Sequence, residues 1–360
     1  GRIVISISRL KIMADPQEVN DKTSSFEEQG DDDDEKAKPA HKFFGKPVCN
    51  NQDEENDIVE ILIEDPNTED LDLNHSRIGK IENLEPLTKL RYFCLRNNLI
   101  KQIENLECVA ATLEDLDLYD NQITKVENLE SLVNLHTLDL SFNRIKKIEN
   151  IEPLFNLTKL YFVNNRIAKI ENMDTFPKLT MLELGGNKIR KLENLEKFPL
   201  LDELYVGKNK IARLENLEFL TNLTVLSIQG NRITKIEGLE ALVNLEQLYI
   251  SNNGITKIEG LSTLKKLVTL DLASNFIEKI ENLEPLSECL EEFWFNHNKV
   301  DVWAEINNLK CLTKLRTLYL EHNPIYFDRE RRGMDPSYKT KVMATLPQLK
   351  QLDASLTRNY

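Results

Sequence analysis

From about residue 71 onward, apolar and polar positions follow a frame of fixed length and not a helical period. One copy reads Leu135-His-Thr-Leu138-Asp-Leu140-Ser-Phe-Asn143-Arg-Ile145. The frame returns at Leu157…Asn165…Ile167, Leu179…Asn187…Ile189, Leu201…Asn209…Ile211 and Leu223…Asn231…Ile233, a step of 22 residues each time. It continues at Leu245…Asn253 and Leu267…Asn275, with further copies at Leu90…Asn98, Leu113…Asn121, Leu290…Asn298 and Leu315…Asn323. The first copy, Leu71-Asp-Leu73…Ile78, has Ser76 in place of Asn, as suits a terminal unit. About twelve units result, and self-similarity at such a period marks a stacked array.

Each unit predicts one short strand. In L-x-x-L-x-L the last two leucines face inward and the residue between them faces out. The Asn stands at the bend after the strand, where its amide is expected to satisfy buried backbone groups of its own coil and the next. The later Ile, and the Leu of I-E-N-L-E, close the coil from the far side. One unit cannot bury its apolar face alone, so neighbours must stack into a continuous core. The fold expected is therefore an α/β solenoid, a leucine-rich-repeat horseshoe with a parallel concave sheet.

Two charged columns share the period. Basic residues recur at Lys80, Lys125, Lys147, Lys169, Lys191, Arg213, Lys235, Lys257 and Lys279, and a glutamate stands two places after each, from Glu82 to Glu281. Stacked at about 4.8 Å, each column would repel itself, and the two offset one another as a solvated face.

The ends differ from the middle. Residues 13–57 carry 14 acidic and 5 basic residues, including the run Asp31-Asp-Asp-Asp34-Glu35, with little periodicity. Residues 1–57 are read as a disordered acidic tail. Within it, residues 1–12 precede Met13 and are read as upstream translation or a fragment edge. The solenoid is assigned to 58–325 and a C-terminal cap to 326–360. In that cap, residues 339–346 predict a short helix with Val342, Met343 and Leu346 on one face, and Leu349 and Leu352 cover the last coil.

Composition narrows the chemistry. The chain of 360 residues has a net charge of −14, which disfavours nucleic acid and anionic membrane as partners. Five cysteines without C-x-x-C pairing suit reduced thiols and an intracellular setting. No run of apolar residues reaches membrane-spanning length. The five histidines share no metal-ligand spacing, and His75, His297 and His322 fall at the bend before the Asn position. No phosphate loop, nucleophile elbow, kinase set or zincin motif occurs, so neither catalysis nor a cofactor or metal is expected.

What remains is a surface. The outward residues of successive L-x-L strands are Asp72, Cys94, Asp117, Asp139, Tyr161, Glu183, Tyr205, Ser227, Tyr249, Asp271, Trp294 and Tyr319, none of them basic. A flanking column adds Asp70, Tyr92, Asp115, Glu203 and Glu292. Aromatic side chains are frequent anchors of protein interfaces, and the strip predicts a protein-binding groove.

The recurrent I-x-K-I-E-N-L-E phrase, seen at residues 145–152 and 189–196, resembles the leucine-rich-repeat regulatory subunit of type-1 protein phosphatase across about residues 71–360. The resemblance implies a nuclear and cytoplasmic protein that binds the phosphatase catalytic subunit on its concave face. It implies control of that subunit's activity, maturation or targeting, with a third regulatory protein left open. Carried over by motif position, the contacts are Asp139, Tyr161, Glu183, Tyr205, Asp271, Glu292, Trp294 and Tyr319. Tyr161 and Tyr205 depart conservatively from phenylalanine in the family. The short R/K-V-x-F docking peptide is missing, since Lys341-Val342-Met343-Ala344 lacks the aromatic. The competing expectation is a structural scaffold of the spliceosomal or axonemal type, which shares repeat and cap.

Overall fold

The computed structural model describes residues 3–10, 56–63, 65, 67–174, 176–328, 330 and 333–356. Two strands come first, β1 (Ile3–Leu10) and β2 (Asn56–Ile63), paired antiparallel. The solenoid then lays down twelve three-residue strands: β3 (Asp70–Asp72), β4 (Tyr92–Cys94), β5 (Asp115–Asp117), β6 (Thr137–Asp139), β7 (Lys159–Tyr161), β8 (Met181–Glu183), β9 (Glu203–Tyr205), β10 (Val225–Ser227), β11 (Gln247–Tyr249), β12 (Thr269–Asp271), β13 (Glu292–Trp294) and β14 (Thr317–Tyr319). All pair parallel with their sequence neighbours. Helix α1 (Tyr338–Thr345), β15 (Gln351–Leu352) and β16 (Ser355–Leu356) end the chain, with β16 antiparallel to β15.

Strand starts are 22 residues apart except at three places: 23 from β4 to β5, 23 from β12 to β13, and 25 from β13 to β14. Each longer step contains a 3-10 turn, Glu107–Val109, Glu284–Leu286 and Trp303–Cys311 respectively. The extra residues are thus absorbed on the convex side, and the strand register never slips. Among the described residues, the α component of the expected α/β solenoid therefore shrinks to these three 3-10 turns, a fourth at Pro324–Tyr326 and α1.

The leucine and isoleucine positions form one core running the length of the solenoid, most of them fully buried. Two asparagine ladders hold its polar edges. Asn209 is representative of the first: its Nδ2 donates to the carbonyls of Val206 (3.1 Å) and Gly207 (3.1 Å) in its own coil and Leu184 (3.0 Å) in the preceding one. Its Oδ1 accepts from the Ile189 N–H at 3.0 Å. The second coil bridged is therefore the preceding one, not the following one expected, because the carbonyls left open by each strand point toward the later coil. The asparagine of I-E-N-L-E makes the second ladder, as in Asn194 Nδ2 to Ile170 O at 2.6 Å. It sits at positive φ, 60° in Asn194, and Gly260 (φ 72°) takes over where Asn is absent. There a Cβ would lie 2.5 Å from Ile236 O.

The C-terminal cover matches expectation in most parts. Tyr338, Val342, Leu346, Leu349 and Leu352 are buried, with Met343 only partly so. The Tyr338 hydroxyl donates to Asp353 at 3.0 Å, while Asp353 accepts from Leu320 N (2.8 Å), which ties the cap to the last solenoid strand. At the N-terminus, part of the stretch read as tail is strand. The register of β1 and β2 sets Ile3, Ile5 and Ile7 against Ile63, Ile61 and Val59, and Arg9 against Asp57. The partners are some fifty residues apart in the chain, so no local periodicity announces the pairing. The acidic run at residues 31–35 lies outside the described residues.

Candidate functional site

Parallel register places the outward residues in one straight row. Asp117, Asp139, Tyr161, Glu183, Tyr205, Ser227, Tyr249, Asp271, Trp294 and Tyr319 are successive register partners on β5 to β14. Neighbours are about 4.8 Å apart. All eight residues expected to contact a partner lie on this sheet: seven in the row, and Glu292 beside Trp294 on the flanking column. Asp139, Tyr161, Glu183, Tyr205, Glu292, Trp294 and Tyr319 are part-exposed. Asp271 is different, at 5% exposure.

The row has two chemically distinct ends. Toward β14, Trp294 meets Tyr319 edge-on (ring centroids 5.8 Å) and Tyr249 edge-on (5.9 Å). Tyr249 and Trp294 stand two strands apart, so their rings lean together across the intervening Asp271. That explains its burial, which raises its pKa, and its carboxylate accepts from the Ala273 N–H at 2.9 Å. Asp271 therefore supports the aromatic cluster from below and offers little surface of its own. The Tyr249 hydroxyl donates to Gln247 Oε1 (2.9 Å), and Gln351 donates to the Tyr319 hydroxyl (2.7 Å). The Trp294 indole N–H is buried without a hydrogen-bond partner.

Toward β5, carboxylates crowd. Asp115, Asp117, Asp139 and Glu183 all have raised pKa values, burial being the largest cause in each. Asp117 is pushed up to about 6, with the charge of Asp139 adding to the effect of burial. Part of this acid set serves the backbone. Asp72, Asp117 and Asp139 each accept from the N–H two residues on, in Asn74 (2.9 Å), Tyr119 (3.0 Å) and Ser141 (2.8 Å). Glu203, by contrast, accepts the Tyr205 hydroxyl at 2.6 Å. Cys94, in the same row, has its thiol pushed up to about 12 by burial and nearby carboxylates, so it is a poor nucleophile.

Two cations belong to this face and escape a reading of the outward row alone. Arg96 lies 3.5 Å from Asp117 and stacks over the Tyr119 ring at 4.3 Å. Lys159, exposed, flanks Tyr161 on β7. Both were legible by reading the columns on either side of the L-x-L centre, Lys159 at the start of β7 and Arg96 two residues past the end of β4. Among the described residues, no group of three or more potential ligands could hold a metal, and no helix is long and apolar enough to cross a membrane.

Comparisons with known proteins agree with this architecture. The family model described as "Leucine Rich repeats (2 copies)" matches residues 111–153, 155–197, 199–241 and 243–285. Protein phosphatase 1 regulatory subunit 7 of Homo sapiens is 59% identical over 49 residues, 14% of this chain and 14% of that protein. The same-named protein of Danio rerio is 47% identical over 91 residues, 25% of this chain and 26% of the relative. Dynein axonemal light chain 1 of Chlamydomonas reinhardtii is 41% identical over 51 residues, 14% and 26% of the two chains. These matches span about a quarter or less of each relative's length. Among solved structures, an internalin (inlF) of Listeria monocytogenes superposes with a TM-score of 0.64 at 24% identity, covering 80% of this chain and 87% of that one. The functional domain of InlJ from the same organism gives 0.61 at 22%, covering 81% and 64%. At these identities the structures speak to the fold alone.

Proposed function

We propose that this chain, a leucine-rich-repeat protein similar to protein phosphatase 1 regulatory subunit 7, is a non-catalytic regulatory subunit that grips the type-1 phosphatase catalytic subunit on its concave sheet. The observation that carries the reading is the aromatic trio Tyr249, Trp294 and Tyr319 set beside a row of carboxylates on one rigid face. Clustered aromatics anchor interfaces through desolvated contact, and the acidic row attracts a basic surface and speeds encounter. The orphan Trp294 N–H adds a donor that an acceptor on the partner would satisfy after a small ring shift.

The test is a calorimetric titration of the catalytic subunit into wild type and into a Tyr205→Ala, Trp294→Ala double variant with its fold checked by circular dichroism. Binding by wild type and loss in the variant is the expected result. If neither protein binds phosphatase prepared in different metal-loading states, the reading is wrong. The match to the axonemal dynein light chain favours a second reading, a scaffold for an axonemal assembly. Capture of dynein subunits without phosphatase would select it.

A further inference from the structure

One edge of the solenoid, just past the first asparagine ladder, carries a second charge pattern of opposite sign. Five consecutive coils place Arg144, Arg166, Lys188, Lys210 and Arg232 in one column. Their backbone N–H groups bond to Ile123, Ile145, Ile167, Ile189 and Ile211 of the preceding coil, each at 2.8 Å, so the stacking is in register. The column starts after Gln122 and stops at Gly254. Around it, the stretches 144–147, 166–169, 188–191, 210–213 and 232–235 read RIKK, RIAK, KIRK, KIAR and RITK, with no acidic residue in any.

The two sides of this edge are treated differently. The column of Lys147, Arg213 and Lys235 meets glutamates: Lys147–Glu149 at 4.0 Å, Arg213–Glu237 at 3.3 Å and Lys235–Glu237 at 3.4 Å. The column from Arg144 to Arg232 has no side-chain hydrogen bond or ion pair among the described residues, and four of its five members are exposed. Like charges stacked at about 4.8 Å repel, a cost that an anion laid along the column would relieve.

We propose that the acidic run at residues 31–35 of this same chain docks along this column. Charge and length both match: the five cations span about 19 Å at the sheet spacing, and five residues of extended chain span about 17 Å. The tether also suits. Leu10 and Asn56 are register partners, so residues 11–55 leave and return at one place, and 20 residues separate the run from each end. A coil of that length spans about 25 Å and at full stretch about 70 Å. From Asn56 the chain has 14 residues to Asp70 on β3, at most about 48 Å, and the column begins three strands, about 14 Å, further along, so it lies within the stretched reach. Tethering gives the segment a local concentration on the order of millimolar, which favours it over an acidic peptide in free solution. Bound there, it masks a cationic edge of a chain whose net charge is −14.

The experiment is zero-length carbodiimide crosslinking of the whole chain, with sites mapped by mass spectrometry in a mixture of light and heavy isotope-labelled protein. The expected result is intramolecular links from residues 31–35 to Lys146, Lys188 and Lys210, in excess over the remote, exposed Lys310 and Lys314. These links should fall about tenfold at about 1 M salt, where the screening length is about 3 Å. They should fall similarly in an Arg144→Gln, Arg166→Gln, Arg232→Gln variant whose melting curve is unchanged. Equal yields at Lys310 and Lys314 would overturn the proposal, as would links only between light and heavy molecules, which would point to a second copy as the occupant. Indifference of the links to the arginine substitutions would overturn it too. None of these readouts involves a phosphatase, so the outcome is separate from that of the proposed function.

Discussion

Strands β5–β8 and β11–β14 share one backbone, the same buried apolar columns and the same asparagine ladder, yet their outward faces differ in chemistry. In the first region the exposed chemistry is carboxylate, desolvated and self-repelling, and partly spent on bonding the backbone just beyond the strand. In the second, rings close over Asp271, the one carboxylate of the outward row there, and turn it into a support. The scaffold fixes position, and the outward residue alone decides whether a position offers charge or contact area. A long partner would therefore be steered by one end and held by the other.

The strongest way to sharpen that contrast is to damage what the two regions share. Asn209→Ala removes three donated bonds and leaves the Ile189 N–H unsatisfied. Each orphaned buried group costs about 1–3 kcal/mol, so a loss of about 3 kcal/mol or more in unfolding free energy is expected, read by urea denaturation. An effect below about 1 kcal/mol would mean that water repairs the ladder and that the regions are less tightly coupled than the geometry implies. Next in size is the anchor. Trp294→Ala should cost about 2 kcal/mol or more in binding the phosphatase catalytic subunit, seen as a faster off-rate in surface kinetics, with the melting temperature little changed. Unchanged affinity would remove the aromatic end from the interface.

Much of this was legible in the sequence, and the misses share a cause. The row from Asp139 to Tyr319 follows from counting by 22, because register in a parallel solenoid is set by the repeat itself. The burial of Asp271 was not legible, since it depends on rings two strands apart leaning toward each other. The hairpin of β1 and β2 was missed because its pairing is non-local. The role of the asparagine in I-E-N-L-E passed as phrasing, although its replacement by Gly238 and Gly260 was the sign of a left-handed backbone position.

The acidic region makes a pH prediction whose sign can be worked out. The folded pKa of Asp117, about 6, lies above the ordinary aspartate value of about 3.9. The folded state therefore binds this proton more tightly than the unfolded chain does. The stability this contributes is complete below about pH 4 and lost as pH rises through about 6. Asp117→Asn keeps an oxygen for the Tyr119 N–H and removes the charge, so it should stabilise the protein by about 1–2 kcal/mol at pH 7.5 and by nothing near pH 4. Chemical denaturation at the two pH values checks this, and equal stabilisation at both would show that charge is not the cause.

The smallest effect expected is on the rate of encounter. Glu183 is part-exposed, its carboxyl raised by burial and by the charge of Asp139, and no hydrogen bond holds it to the backbone, unlike the aspartates of its row. Glu183→Gln should lower the association rate with the basic partner surface by a few-fold, about 1 kcal/mol or less, and flatten its salt dependence while leaving the off-rate nearly unchanged. Stopped-flow mixing across a salt series separates the two. A change confined to the off-rate would place Glu183 in close contact with the partner, and the division into a steering end and a holding end would then give way to one continuous contact surface.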